Sequence, residues 1–513
     1  MADKSLIIIG AGIAGLAAGC YGQMNGYDTA IYEMHTKPGG LCTAWGRQGY
    51  TFDGCIHWLM GTSPQSPFYQ VWNELGAFQG RPPITHEEFV RIAAPDGQTL
   101  VIYAQIDRLE QHLKKLSPAD APVIDEFIEG MRLFRTFDGH PMMPRELMTA
   151  EEGAQTMARL APYMAPMERW LKVSAGEFAA RFQDPFLRRA FPLVFGAQTP
   201  MFLYFLFLAG MDHGDDGYPA GGSLEFARAI ERRYLQLGGE IHYGCRVTKI
   251  LVEEGTGPDG QAQARAAGIL LADGTERRAD TVVSAADGRT TLFEMLEGKY
   301  LSDEFRGYYR DLPIFSPVVQ ISLGIRRDLS AEPHAVTYLL EPPLTIAGEA
   351  RETLPIRHYC YDPSLAPAGG SAVVVFLGSS YDYWKEAAGD RERYEAEKQQ
   401  AATAVIGQLE RLYPGITGDI EVVDVATPLT TERYTGNWQG SIQGWNPFGK
   451  NMGELMMRGM SKTLPGLEGF YMIGQWVEPG GGLPAVAPSG RNLIQILCHR
   501  DGKRFVAGVP ASA

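Results

Sequence analysis

Gly10, Gly12 and Gly15 stand at Gly-x-Gly-x-x-Gly spacing within the run Ile7-Ile-Ile-Gly-Ala-Gly-Ile13-Ala14-Gly15. Glycines so spaced bind a dinucleotide pyrophosphate. The first turns the chain sharply, the second lets bare backbone approach the phosphates, and the third lets a helix pack on a strand. Ile13 and Ala14 open that helix, whose free N–H groups and dipole receive negative charge. Glu33 follows Gly15 by 18 positions, where a carboxylate suits a ribose diol. No Arg or Lys comes after it until Lys37, so a 2′-phosphate is disfavoured.

The elements that must position these residues are legible around them. Residues 6–9 form a short apolar run expected as a central parallel strand, residues 16–23 continue as a small-residue helix, and residues 29–32 read as the second strand. A second Gly-x-Gly-x-x-Gly, at Gly255, Gly257 and Gly260, follows Glu253-Glu254 and opens onto a polar run. It reads as a solvated loop, so no separate nicotinamide domain is expected.

After Glu33 the chain does not wind into another strand–helix–strand unit. It reads Gly39-Gly40-Leu41-Cys-Thr-Ala-Trp45 and then Gly49-Tyr-Thr-Phe-Asp53-Gly54. In this it resembles the FAD-dependent family of amine oxidases, phytoene desaturases, carotenoid isomerases and retinol saturases, in which a Gly-Gly doublet follows the ribose acid. That family usually has Arg directly after the doublet, and here Leu41 occupies the place. The resemblance returns at Gly469-Phe-Tyr-Met-Ile-Gly474-Gln-Trp-Val-Glu478-Pro-Gly480-Gly481-Gly482-Leu483-Pro-Ala-Val-Ala-Pro-Ser-Gly490-Arg-Asn, which looks like the closing flavin segment of phytoene desaturases. A third match runs from Tyr218-Pro-Ala-Gly221-Gly222 to Val247, whose backbone the resemblance sets against the adenine. It implies FAD as cofactor, with Gly39, Gly40, Leu41, Val247, Gly474, Gly481, Gly482 and Leu483 joining the fingerprint residues in holding it.

The closing segment has its own physics. Residues 470–473 read as a buried strand, Gly480, Gly481 and Gly482 expose backbone N–H groups, and residues 487–500 read as a helix with Pro488 in its first turn. Such a helix points its positive end at the flavin and stabilises the reduced ring. Residues 268–287 read as an Asp273-Gly274 hairpin returning to a buried strand.

The chain has 513 residues, 45% apolar and 21% charged, which suits a multi-domain globular protein. A net charge of −14 argues against nucleic acid and against purely electrostatic docking on anionic lipid. Six cysteines show neither Cys-x-x-Cys nor zinc spacing, so no metal site and a reducing, cytoplasmic setting are expected. Residues 6–20 have the length of a signal core, yet their glycine spacing is that of a nucleotide turn. Between Arg189 and Asp212 there is no charge, but Pro192, Gly196, Gln198 and Pro200 leave a helix too short to span a bilayer. That segment reads as a buried wall of a substrate cavity or as a peripheral contact on the inner face of a membrane. Residues 106–190 read as helices carrying Met131, Met142, Met143, Met148, Met157, Met164 and Met167, either lining an apolar cavity or filling an ordinary core. Residues 313–330 and 370–380 read as strands.

The expected fold is α/β: a Rossmann-type FAD-binding domain from residues 1–105, 215–300 and 455–513, with an inserted α+β substrate-binding domain from 106–214 and 301–454. Four residues are candidates for chemistry: His57, Glu478, Arg433 and Tyr434. His57 either protonates substrate or flavin or bonds the backbone; Glu478 is an acid near the ring or a turn residue; Arg433 and Tyr434 are set at the substrate mouth. The resemblance implies an oxidoreductase that desaturates, saturates or isomerises carbon–carbon bonds of a long apolar, carotenoid- or isoprenoid-like small molecule. Two alternatives stand beside it. One is a flavin amine oxidase, which needs an acidic mouth and an aromatic pair drawn from Trp45, Trp58 and Trp476. The other is a non-catalytic flavoprotein that binds a hydrophobic ligand.

Overall fold

The computed structural model describes residues 4–137, 143–256, 262–448, 455 and 459–510. Ser5–Ile9 lies at the centre of a five-stranded parallel sheet, between Thr281–Ser284 and Asp28–Tyr32, with Phe470–Met472 and Glu240–His242 at the edges. Leu6, Ile7, Ile8 and Ile9 are buried on both faces, which is why this strand is an unbroken apolar run. The fingerprint helix, Ile13–Met24, packs directly on the closing helix, Leu483–Arg500. A Cβ on Gly490 would come within 2.6 Å of the Ala14 carbonyl oxygen, so only glycine permits this approach. The closing helix begins four residues earlier than the sequence suggested: Pro484 takes the first-turn position and Pro488 lies inside. The glycine turn itself supplies the cap, at Gly482, leaving no gap between turn and helix.

A seven-stranded sheet forms the second layer, in the order Ile420–Ala426, Val318–Ile325, Ser371–Gly378, Glu349–His358, Ala335–Ile346, Glu88–Ala93, Thr99–Tyr103. The strands expected within 313–330 and 370–380 are its second and third members. One face packs on the helix Arg391–Leu412, where Ile321, Leu323, Ile356, Val373 and Val375 share a core with Ala401, Ala402, Val405 and Leu409. By alternation the other face carries Gln320, Ser322, Val374, Phe376 and Arg357. The two strands within 88–103 correct an expectation. They were read with the nucleotide domain as part of 1–105, but Glu88–Ala93 pairs in parallel with Ala335–Ile346 and so belongs to this second sheet. Hydrogen-bonding partners, which local sequence does not encode, decide that membership.

A third sheet of four strands contains Val247–Thr256, Ala262–Leu271, Glu276–Arg278 and Leu467–Glu468. The Asp273-Gly274 hairpin joins its second and third strands, as expected. Residues 257–261, which hold most of the second glycine motif, lie outside the described residues; antiparallel strands flank them.

A helical cap comprises Ile106–Leu116, Ala121–Phe134, Ala150–Leu171, Pro185–Ala190 and Met201–Met211. Its methionines do not act as a set: Met131 is buried, whereas Met143, Met157 and Met164 are exposed, and Met142 lies outside the described residues. Met201–Met211 is buried on most sides, and among the described residues no helix is long and apolar enough to cross a membrane. Leu203, Leu206, Phe207 and Gly210 are the half-buried positions of Met201–Met211. Exposed apolar side chains fall instead on the neighbouring Ala150–Leu171 helix, at Met157, Met164 and Leu171. All six cysteines are free thiols.

Candidate functional site

The fingerprint turn is shaped for a ligand. A Cβ on Gly12 would meet nothing within 4 Å, so open space lies where a pyrophosphate is expected. On Gly15 it would sit 2.0 Å from the Gly10 carbonyl oxygen, so that position must be glycine for the helix to close on the turn. Glu33 is buried, and its carboxylate accepts the Ala11 N–H at 2.7 Å and the His35 N–H at 2.8 Å. That holds the Glu33 carboxylate directly beside the Gly10–Gly15 turn. Gly39 bridges to Gly12 and donates its N–H to the Ala11 carbonyl at 2.9 Å, so the doublet Gly39-Gly40 backs onto the fingerprint. Leu41 is half-buried next to it, and its carbonyl accepts the Thr43 N–H. Val247 is buried two residues beyond Cys245, whose N–H donates to the Glu33 carbonyl at 2.8 Å.

The closing segment completes the opposite wall. Gly474 donates its N–H to Ser489 Oγ at 3.2 Å and approaches Ala14 so closely that a Cβ would lie 3.3 Å from the alanine Cβ. Gly480, Gly481 and Gly482 have φ of +93°, +51° and +77°, a run of left-handed conformations that side chains resist. Leu483 then starts the closing helix, and no side chain caps its first N–H groups. Contrary to the expectation of exposed donors along the glycine run, the Gly480 and Gly481 N–H groups donate to the Trp445 and Glu478 carbonyls and those of Ala485 and Val486 to Gly482, so it is the positive helix end that suits an electron-rich group. A buried network ties these walls together: Glu74 accepts hydrogen bonds from Tyr21 at 2.6 Å and Gln70 at 2.9 Å, and pairs with Arg491 at 3.1 Å.

The four candidates for chemistry fall in three separate places. His57 is half-buried and bonds the Cys55 backbone, while its buried Nδ1 has no partner. Burial first, then the nearby Arg357 guanidinium, push its pKa down to about 3. It is therefore a neutral imidazole at physiological pH, a donor or acceptor rather than a charged acid. Glu478 accepts from Ser489 Oγ at 3.0 Å and pairs with Lys462 at 3.4 Å, which ties the glycine turn to the closing helix. Arg433 and Tyr434 lie exposed on the helix Pro428–Thr435, with the Tyr434 ring 5.3 Å from that of His35. They group with the ribose-acid segment, because the short helix ends against Met34 and His35. The three tryptophans also diverge. Trp45 donates to Asp424, Trp58 meets Phe89 and Phe207, and Trp476 packs with Tyr309 and Trp445, so no two of them form a facing pair.

Sequence reasoning missed a polar group between the two sheets. Asp53 is buried and accepts from the Tyr218 hydroxyl, the Cys55 N–H, and both the N–H and hydroxyl of Ser223. Around it stand Tyr359 and Tyr361, with ring centroids 5.9 Å apart, and Arg357. The His86 and His334 rings stack at 3.7 Å. Asp216, preceding a Gly217 carbonyl that accepts the Leu59 N–H, is raised to about 7 by burial and by the adjacent Asp215. The Asp215-Asp216 doublet was a readable signal; Arg357 lies in a strand whose alternation alone gives no hint of function.

Beside His57 the surroundings turn apolar. Phe207, on the outer side of the Met201–Met211 helix, meets Trp58 at 5.3 Å, and Phe195 and Phe89 close the group at 5.3 Å from each other.

The site's composition agrees with known proteins. The family model for flavin containing amine oxidoreductases matches residues 13–493. Prolycopene isomerase from Daucus carota is 27% identical over 97% of this chain and 80% of that protein. The lycopene-forming phytoene desaturase of a Paracoccus species is 25% identical, over 97% of each chain. Cyclohexylamine oxidase from Brevibacterium oxydans shares the fold, with a TM-score of 0.57 at 14% identity, over 96% of this chain and 99% of that one. Open space at Gly12, the placed Glu33 and the uncapped closing helix fit FAD, and the chain is an FAD-dependent oxidoreductase that belongs to the flavin-containing amine oxidoreductase family.

Proposed function

We propose that this flavoenzyme acts on carbon–carbon bonds of a long apolar, carotenoid- or isoprenoid-like substrate, by desaturation, saturation or isomerisation. The observation that carries the reading is the aromatic wall of Trp58, Phe89, Phe195 and Phe207 next to His57. It supplies apolar surface but no cation-binding acid. The carotenoid-acting names of the carrot and Paracoccus relatives support it. Bound FAD supplies hydride exchange with a substrate C–H bond. The chain's own part is to align the hydrocarbon, to keep water out through the wall, and to favour reduced cofactor through the closing helix. His57, neutral and with Nδ1 unpartnered, stays uncharged in the apolar space and passes a proton on only by releasing one ring-nitrogen proton as the other nitrogen takes one up.

One observation favours the amine-oxidase alternative: a cleft of about 270 Å³ lined by His86, Glu87, Glu88, Glu332, His334 and Tyr361 has an acidic rim. One experiment separates the two. The anaerobic flavin spectrum of the holoprotein is followed on adding carotenes in detergent, and on adding small amines. Bleaching or carotene conversion with the first supports our reading; bleaching only by amines replaces it. We place a peripheral membrane contact on the outer side of Ala150–Leu171, through Met157, Met164 and Leu171. Co-sedimentation with vesicles, lost when all three become Ser, tests that contact.

A further inference from the structure

Arg357 is a buried cation without a counter-ion. Its Nη1 is buried, while the residue as a whole keeps part of its surface accessible. Among the described residues none forms an ion pair or a hydrogen bond with it, and its Nη1 is an orphaned donor. Asp53 is not its partner, because four hydrogen bonds from Tyr218, Ser223 and Cys55 already occupy that carboxylate. A guanidinium does not shed its proton in a protein, and an uncompensated buried charge is strongly destabilising. The arrangement makes physical sense when an anion joins it.

The sheet register says where that anion would lie. Ser322, Val374, Arg357 and Ala335 form one row across the seven-stranded sheet, on the face turned away from the Arg391–Leu412 helix. In the neighbouring row Gln320 donates to the Asp53 carbonyl, and Phe376 lies 6.2 Å from the His57 ring. Arg357 therefore points to the His57 side of the molecule, while the dinucleotide phosphates belong to the Gly10–Gly15 turn of the other sheet. Tyr359, close by, has a buried hydroxyl that also lacks a partner. Resting on the hydrocarbon reading given above, we propose that Arg357 anchors a carboxylate at one end of the apolar substrate, in the space bounded by His57, Tyr359 and Tyr361.

The charge count selects a carboxylate over a diphosphate. Burial pushes His57, His86 and His334 down to about 3, 4 and 2, so all three are neutral and Arg357 contributes a single positive charge. A planar fork matches a monoanionic carboxylate in bidentate fashion. The acidic-rimmed cleft beyond the His86–His334 pair disfavours anion entry from that side, which leaves the aromatic wall as the path for the hydrocarbon.

The test is equilibrium dialysis of the FAD-loaded protein against radiolabelled geranylgeranoate and geranylgeraniol, which share a hydrocarbon and differ in the head. Wild type is expected to hold the acid about ten- to a hundredfold tighter than the alcohol. R357Q should lose that preference with alcohol binding and FAD content unchanged, and R357K should retain part of it. Equal affinity of wild type for both probes overturns the anchor. So does R357Q that weakens both probes alike or releases FAD, since either outcome assigns the guanidinium to fold or cofactor. Wild type that converts carotenes yet shows no acid preference removes the anchor alone; binding of neither probe with no carotene conversion removes both readings.

Discussion

The two sheets offer different materials at the sites proposed for cofactor and substrate. In the parallel sheet the surface is backbone: Gly12 leaves space, Gly15 and Gly490 permit contacts no side chain allows, and Gly480–Gly482 hold a turn that ends at the positive end of the closing helix. In the seven-stranded sheet the facing surface is side chains, among them Gln320, Phe376 and Arg357, with Asp53 and a group of tyrosines opposite. A backbone surface fails by collision. A side-chain surface fails by charge and hydration, and so it responds to pH and can be respecified one residue at a time.

The sharpest way to break this contrast is at Gly15. Gly15→Val should abolish FAD retention and cost on the order of 4 to 5 kcal/mol, read by flavin content and thermal unfolding, because even a Cβ would collide with the Gly10 carbonyl. A folded variant that keeps flavin would remove the collision argument. Glu74→Ala is next, at about 3 to 4 kcal/mol in denaturant unfolding, since Arg491 and Tyr21 lose a shared buried carboxylate.

On the other side the signature is pH. Folding raises the Asp216 carboxyl to about 7, through burial first and Asp215 second. The native state then holds a proton that the unfolded chain has released. This contribution is full below the ordinary carboxylate range and is lost as pH rises toward 7. Asp216→Asn should therefore stabilise the protein by about 2 to 4 kcal/mol at pH 8 and hardly at all at pH 4. A variant equally stable or unstable at both values would contradict the assignment. His57→Phe should change stability by less than about 1 kcal/mol, and wild-type turnover should show no His57 titration between pH 6 and 8, because the imidazole is already neutral there. Smallest of all is Tyr434→Ala, within about 0.5 kcal/mol and with FAD retained, as the side chain is exposed.

The same contrast explains what could be read from the sequence. Gly10, Gly12, Gly15, Glu33 and the Gly480–Gly482 turn were legible because backbone geometry restricts which residue each position accepts. The strands around them were legible because burial on both faces writes an apolar run. The membership of 88–103 was not, since a strand's neighbours depend on pairing across the chain. Nor was Arg357, because a charged residue alternating with apolar ones reads as solvent-facing until the fold shows what covers it. Arg433 and Tyr434 were legible as a motif but not as a location, which only the contact with His35 supplies.

The packing of Gly490 on Ala14 sets an order of events during synthesis. The first strand and its helix leave the ribosome well before the edge strand Phe470–Met472 and the closing helix Leu483–Arg500 that pack on them. Until then the nascent sheet has an open edge and the fingerprint helix lacks its partner, so cofactor loading waits for the closing helix. FAD retention therefore depends on the closing helix being present, and a chain cut before Leu483 should fold its fingerprint strand and helix without holding the cofactor.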